Sequence, residues 1–174
     1  MLKIDNIVPV YEKLISSLIK INPDLRIIFT VSPIRHWKDG PVQNTVSKST
    51  LILSIHEILK LFDCTEYFPS YEIALDDLRD YRYYEEDMIH PNSQMTGYIW
   101  EKFSQSYFSD ETLRAMKDIA KLNSALKHRP FQPGAPKHIE FLNSQLEFIQ
   151  TLKKKYPYLD FSKEETSLKN QLPL

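Results

Sequence analysis

A short β-branched apolar run, Leu25-Arg-Ile-Ile-Phe-Thr-Val31, and a second short strand candidate, Cys64-Thr-Glu-Tyr-Phe68, each follow a stretch of helical spacing, and this alternation constrains the fold more than any other feature. From Val8 to Ile21 the apolar residues Val10, Leu14, Leu18 and Ile21 recur at threes and fours, which predicts an amphipathic helix stopped at Asn22-Pro23. Val46 to Phe62 returns to the same spacing through Leu51, Ile55, Ile58, Leu59 and Phe62, after a polar loop through Gly40-Pro41. Helix, strand, helix, strand implies a parallel sheet between helices, whose strands are expected to be apolar on both faces.

Downstream the pattern is helical. Tyr71–Leu78 reads as a short helix and Arg79–Pro91 as a loop. Ser93–Phe108 is a helix with Met95, Ile99, Trp100 and Phe103 on one side. Asp110 is expected to cap a helix running to Lys127. A proline-rich linker over 129–137 precedes a last amphipathic helix, His138–Tyr156. Two strands make a poor sheet, because a lone parallel pair leaves two unpaired edges. Either several helices cover the sheet unusually or strands that would precede Met1 are absent, so the expectation is an incomplete, helix-rich sheet domain prone to self-association through the open edge of Leu25–Val31.

Composition removes several classes. Three glycines in 174 residues cannot supply the Gly-rich loops of dinucleotide or P-loop sites, and they disfavour a hairpin-built all-β domain. One cysteine, Cys64, excludes an intramolecular disulfide and a cysteine-rich zinc site. The formal charge is −1, but residues 61–90 hold nine acids against two arginines. That local excess repels a phosphate backbone, so the tyrosines at 81, 83 and 84 with Arg79 and Arg82 are not read as a nucleic-acid surface; the arginines are expected to pair with the local acids. No apolar run reaches the ~20 residues of a membrane span and the first ten residues lack a secretion signal, so a cytoplasmic location without membrane contact is the default expectation.

The sharpest chemical feature is Asp87-Met-Ile-His90-Pro91, an Asp-x-x-His in a loop just before a helix. A carboxylate three residues ahead of an imidazole can fold back and accept its Nδ1–H, leaving Nε2 as a general base. The spacing alone is common, and a structural loop histidine satisfies it equally well.

The acidic, tyrosine-rich run from Tyr67 to Pro91 resembles the most recognisable block of the GSCFA-domain family. Phe29-Thr-Val-Ser-Pro-Ile-Arg-His36 with Lys38-Asp-Gly40, Ser47-Lys-Ser-Thr-Leu51 and Tyr98-Ile-Trp-Glu-Lys-Phe103 match it in order, so the resemblance spans about residues 1–108. Residues 109–174 read as additional helices beyond that pattern. The resemblance implies a three-layer α/β/α fold of the SGNH (GDSL-like) hydrolase kind, flavodoxin-like, here in its C-terminal part. It implies a Ser-His-Asp triad in which Asp87 orients His90. It further implies a small-molecule or carbohydrate-linked acyl ester as substrate, and no cofactor. The family's nucleophile lies in a Gly-Ser-Cys-Phe-Ala motif, and no such stretch occurs in these 174 residues. A base without a nucleophile has nothing to activate, so the chain alone is expected to be inactive. The alternative is a non-catalytic truncated domain or a module that pairs with a partner.

Other candidates are weaker. Ser32 leaves a strand where α/β proteins bind ligands, but Val31-Ser32-Pro33 lacks the small neighbours of a nucleophile elbow, and the proline removes an oxyanion donor. Ser70 and Ser93 read as turn and cap residues. Arg35 and His36 leave the same strand end and are candidate substrate-binding residues. His36-Trp-Lys-Asp39 repeats the Asp/His spacing in reverse, but nothing else completes a metal site, and none is expected. His56 beside a helical apolar face is read as solvated or hydrogen-bonded, and Lys153-Lys-Lys155 as a solvated helix end.

Overall fold

A computed structural model describes residues 2–128, 130, 132 and 134–172 of the chain. It divides into two compact units, Met1–Phe103 and Ser104–Leu174. Arg129, Phe131 and Pro133 of the expected linker lie outside the described residues.

The first unit begins with α1 (Ile4–Ile21), followed by β1 (Ile27–Phe29), α2 (Gly40–Leu61), β2 (Thr65–Tyr67), α3 (Ser70–Asp76) and α4 (Ser93–Tyr107). The two strands pair in parallel, with Ile27 opposite Thr65, Ile28 opposite Glu66 and Phe29 opposite Tyr67. The protein is thus a helix-rich α/β chain with a small two-stranded parallel sheet. Both strands are shorter than the apolar runs that predict them.

The expectation that β1 is buried on both faces fails. Along 27–31 half-buried or buried residues alternate with exposed ones, and Ile28 keeps 38% of its surface exposed. One face packs on the first helix, where Tyr11 meets Phe29 edge-on at 5.6 Å. The other is the open side of a sheet only two strands wide.

Helix ends differ from the spacing for local reasons. The apolar spacing starts the first helix at Val8, and Pro9 stands inside it. Yet α1 begins a turn earlier, where the Lys3 N–H donates to Asn6 Oδ1 at 3.0 Å. In α2 the expected loop through Pro41 is already helix. Gly40 takes φ 82°, a left-handed value glycine tolerates, and Pro41 fits a first turn. The polar residues Gln43–Thr45 conceal this turn from any apolar period. Asn92 rather than Ser93 caps α4, its Oδ1 accepting the N–H groups of Gln94 and Met95 at 3.0 and 3.2 Å. Ser109 rather than Asp110 caps the next helix, accepting Thr112 N–H at 3.2 Å.

The second unit packs α5 (Asp110–Lys127), α6 (Pro136–Lys155) and α7 (Ser162–Lys169) around Leu122, Leu142, Ile149, Leu152, Tyr156 and Leu168. The last helix is one more than the sequence predicts; at eight residues it is too short for a clear period. The lysines ending α6 are not simply solvated. Lys155 Nζ and Tyr156 OH both donate to Asp118 at 2.8 Å, and Lys153 pairs with Glu165.

Candidate active site

The segment 79–91 is a closed loop rather than an open one. After a 3₁₀ turn at Tyr81–Tyr83, Tyr84 and Pro91 form an antiparallel bridge at its neck. The Glu85 N–H donates to His90 O at 2.8 Å and the Asn92 N–H to Tyr83 O at 3.0 Å. Beneath the neck, buried Tyr84 joins Ala74, Leu78 and Met95 in a small core that anchors the loop to α3 and α4. Arg79 and Arg82 lie beside Asp76 and Asp80 at 3.0 and 3.8 Å, exposed pairs of the kind that add little stability.

At the loop's tip Met88 adopts φ 58°, uncommon for a residue with a Cβ. This reversal folds Asp87 back over the residues that follow. Asp87 Oδ1 accepts the N–H groups of Ile89 and His90 at 2.8 and 2.9 Å, and Oδ2 stands 2.5 Å from His90 Nδ1. The contact that the Asp-x-x-His spacing predicts is therefore present. Hydrogen bonds from the His90 ring, then from the backbone of His90 and Ile89, hold the Asp87 carboxyl down at about 2. Because an ionised carboxylate only accepts, its partner Nδ1 carries the ring proton and Nε2 is the basic nitrogen. Both residues are exposed.

No serine hydroxyl among the described residues is hydrogen-bonded to His90. Ser32 Oγ accepts the Ile34 N–H at 3.2 Å, and its carbonyl accepts Lys48 Nζ at 2.6 Å. Ser70 Oγ donates to Val31 O at 2.9 Å and meets Thr30 Oγ1. Ser32 and Ser70 share with Pro91 the lining of an apolar groove of about 610 Å³, which runs along the open face of β1 to Ile99 and Trp100 of α4.

Arg35 and His36 do not line one cavity. Arg35 turns to the Asp87–His90 loop and borders a 250 Å³ cleft with Tyr81 and Tyr84. His36 borders a separate 520 Å³ cleft with Asp39, Gln43 and Ser47, its Nδ1 3.5 Å from Asp39 Oδ2. Among the described residues no three of His, Cys, Asp and Glu gather as a metal site, and no helix is long and apolar enough to cross a membrane. His56 is exposed, its ring 6.0 Å from that of Tyr67.

Lys48 is a buried cation beside the strand end at Ser32. It is 8% exposed on the inner face of α2, and burial lowers its ammonium pKa. Its position in the sequence signals this: 48 falls on the same helical spacing as Ile55 and Ile58.

Fold and site together define a helix-rich α/β protein with a carboxylate-oriented histidine in a closed loop. Residues 1–103 match the GSCFA family, and residues 119–173 match the C-terminal domain of GSCFA domain proteins. The chain belongs to the GSCFA family. The helices beyond residue 109 thus carry the C-terminal domain of GSCFA domain proteins over most of their length. No curated protein and no solved structure matches the chain.

Proposed function

We propose that this chain carries the acid–base part of an SGNH-like acyl-ester hydrolase site, on a sheet of the three-layer α/β/α kind. The observation that carries the reading is the triple engagement of Asp87 with Ile89 and His90, which fixes ring and backbone together. In that role His90 Nε2 takes the proton of a hydroxyl nucleophile as its oxygen attacks the ester carbonyl. The imidazolium, stabilised by Asp87, then returns the proton to the leaving alkoxide. The nucleophile is a serine outside these 174 residues, and the chain alone turns over no ester at an appreciable rate. Its substrate class is a small-molecule or carbohydrate-linked acyl ester.

The test compares p-nitrophenyl acetate hydrolysis by the chain and by His90→Ala, with a fluorophosphonate probe for reactive serine. The expected result is near-equal, slow rates and no labelled serine. Rapid turnover lost in His90→Ala, with label on Ser32, overturns the assignment of the nucleophile to another segment.

A second reading has support of its own. Ile28 on β1 and Val10, Leu14 and Ile21 on α1 are exposed at 38%, 63%, 49% and 81%. Ile28 and the α1 residues lie on opposite sides of the sheet, and it is the unpaired edge of a sheet only two strands wide that suits a non-catalytic module pairing with a second copy of itself through β1.

A further inference from the structure

We propose that Arg35 is a positioning residue for His90 rather than a substrate-binding one: it clamps the Asp87–His90 loop by its tip and its neck at once. This rests on the reading of Asp87 and His90 given above.

At the tip, Arg35 Nη1 donates to Met88 O at 3.1 Å, and the Arg35 backbone N–H reaches Ile89 O at 3.5 Å. These carbonyls belong to the two residues between Asp87 and His90. One of the two is Met88, whose left-handed backbone needs outside support to persist. At the neck, the guanidinium lies over the ring of Tyr84 at 4.5 Å and of Tyr81 at 5.2 Å. Tyr84 is the buried residue that bridges to Pro91, the immediate neighbour of His90.

A planar, permanently charged group can stack on rings and donate in its own plane, which an ammonium cannot do. With its faces against tyrosines and an N–H on a main-chain carbonyl, the side chain is committed to the loop. Because Arg35 lies six residues beyond the end of β1, on the segment that leaves the strand, the clamp ties the histidine to the sheet, where a nucleophile on another strand would have to meet it.

The test uses the whole isotopically labelled chain, with Arg35→Ala and Arg35→Lys, and follows the Asp87 carboxyl by carbon-13 titration and the Ile89 and His90 amides by hydrogen exchange. In Arg35→Ala the carboxyl midpoint is expected to rise from about 2 toward the ordinary carboxylate range. The two amides should exchange at least about tenfold faster, with unchanged helical circular dichroism. Lysine should restore part of the exchange protection, since it can reach Met88 O but cannot stack. If Arg35→Ala unfolds the chain, Tyr81→Leu removes one stacking wall and should give a smaller change in the same direction. Wild-type midpoint and exchange in both Arg35→Ala and Tyr81→Leu overturn the clamp. The ring-nitrogen tautomer of wild-type His90 reports the Asp87–His90 reading independently, so the two failures are distinguishable.

Discussion

Asp87 accepts a hydrogen bond from the backbone N–H of His90 on one oxygen and faces its ring Nδ1 on the other, at 2.9 and 2.5 Å. One carboxylate therefore sets both the main-chain position and the orientation of the imidazole. Neither can relax without disturbing the other.

That arrangement has a defined pH range. The folded carboxyl is held down at about 2, below its ordinary value of 3.8, so its contribution to loop stability is complete above about pH 4 and is lost as pH falls through about 2. Amide protection of Ile89 and His90 should stay level from pH 6 to pH 4 and decline only below that. Loss of protection already centred near pH 5 would contradict the geometry.

Met88 sits in a backbone region that costs a residue with a Cβ roughly 1–2 kcal/mol. Glycine removes that cost but adds about 0.5–1 kcal/mol of unfolded-state entropy, so Met88→Gly should leave stability unchanged or raise it by up to about 1.5 kcal/mol. A β-branched residue gains nothing in exchange. Met88→Val should lower the thermal midpoint, and equal midpoints for the two variants would argue against the reversed tip.

Ile149 has no exposed surface and lies in the cluster that joins α5, α6 and α7. Its replacement by alanine should cost about 2–5 kcal/mol by denaturant unfolding. A change below about 1 kcal/mol would mean that the C-terminal helices do not pack around it.

If the open strand edge pairs with a second copy, light scattering should show mass rising with concentration, and Ile28→Lys should return the chain to monomer. A clean monomer at high concentration in the unmodified chain rejects the pairing reading.

The sequence exposes those parts of this molecule that repeat or lie close together in the chain. The helices with a long apolar period, the two strand segments and the Asp87–His90 contact are all legible, because each rests on neighbours a few residues apart. What required tertiary structure was hidden for identifiable reasons. Polar Gln43–Thr45 masked the first turn of α2. The exposed face of β1 was signalled only by Arg26 and Thr30, which flank Ile28 at period two in an otherwise apolar run. Arg35 and Met88 are 53 residues apart, so nothing in either segment announces their hydrogen bond. The pairing of Lys155 with Asp118 is equally non-local.

The central claim is that Asp87 fixes the tautomer of His90 and leaves Nε2 as the base. Nitrogen-15 spectroscopy of the labelled imidazole tests it most directly, in the wild-type chain and in Asp87→Asn. The account predicts a neutral ring protonated at Nδ1 with a downfield proton resonance, and a switch toward the Nε2–H form in Asp87→Asn. A neutral wild-type ring protonated mainly at Nε2, unaffected by that substitution, would contradict it.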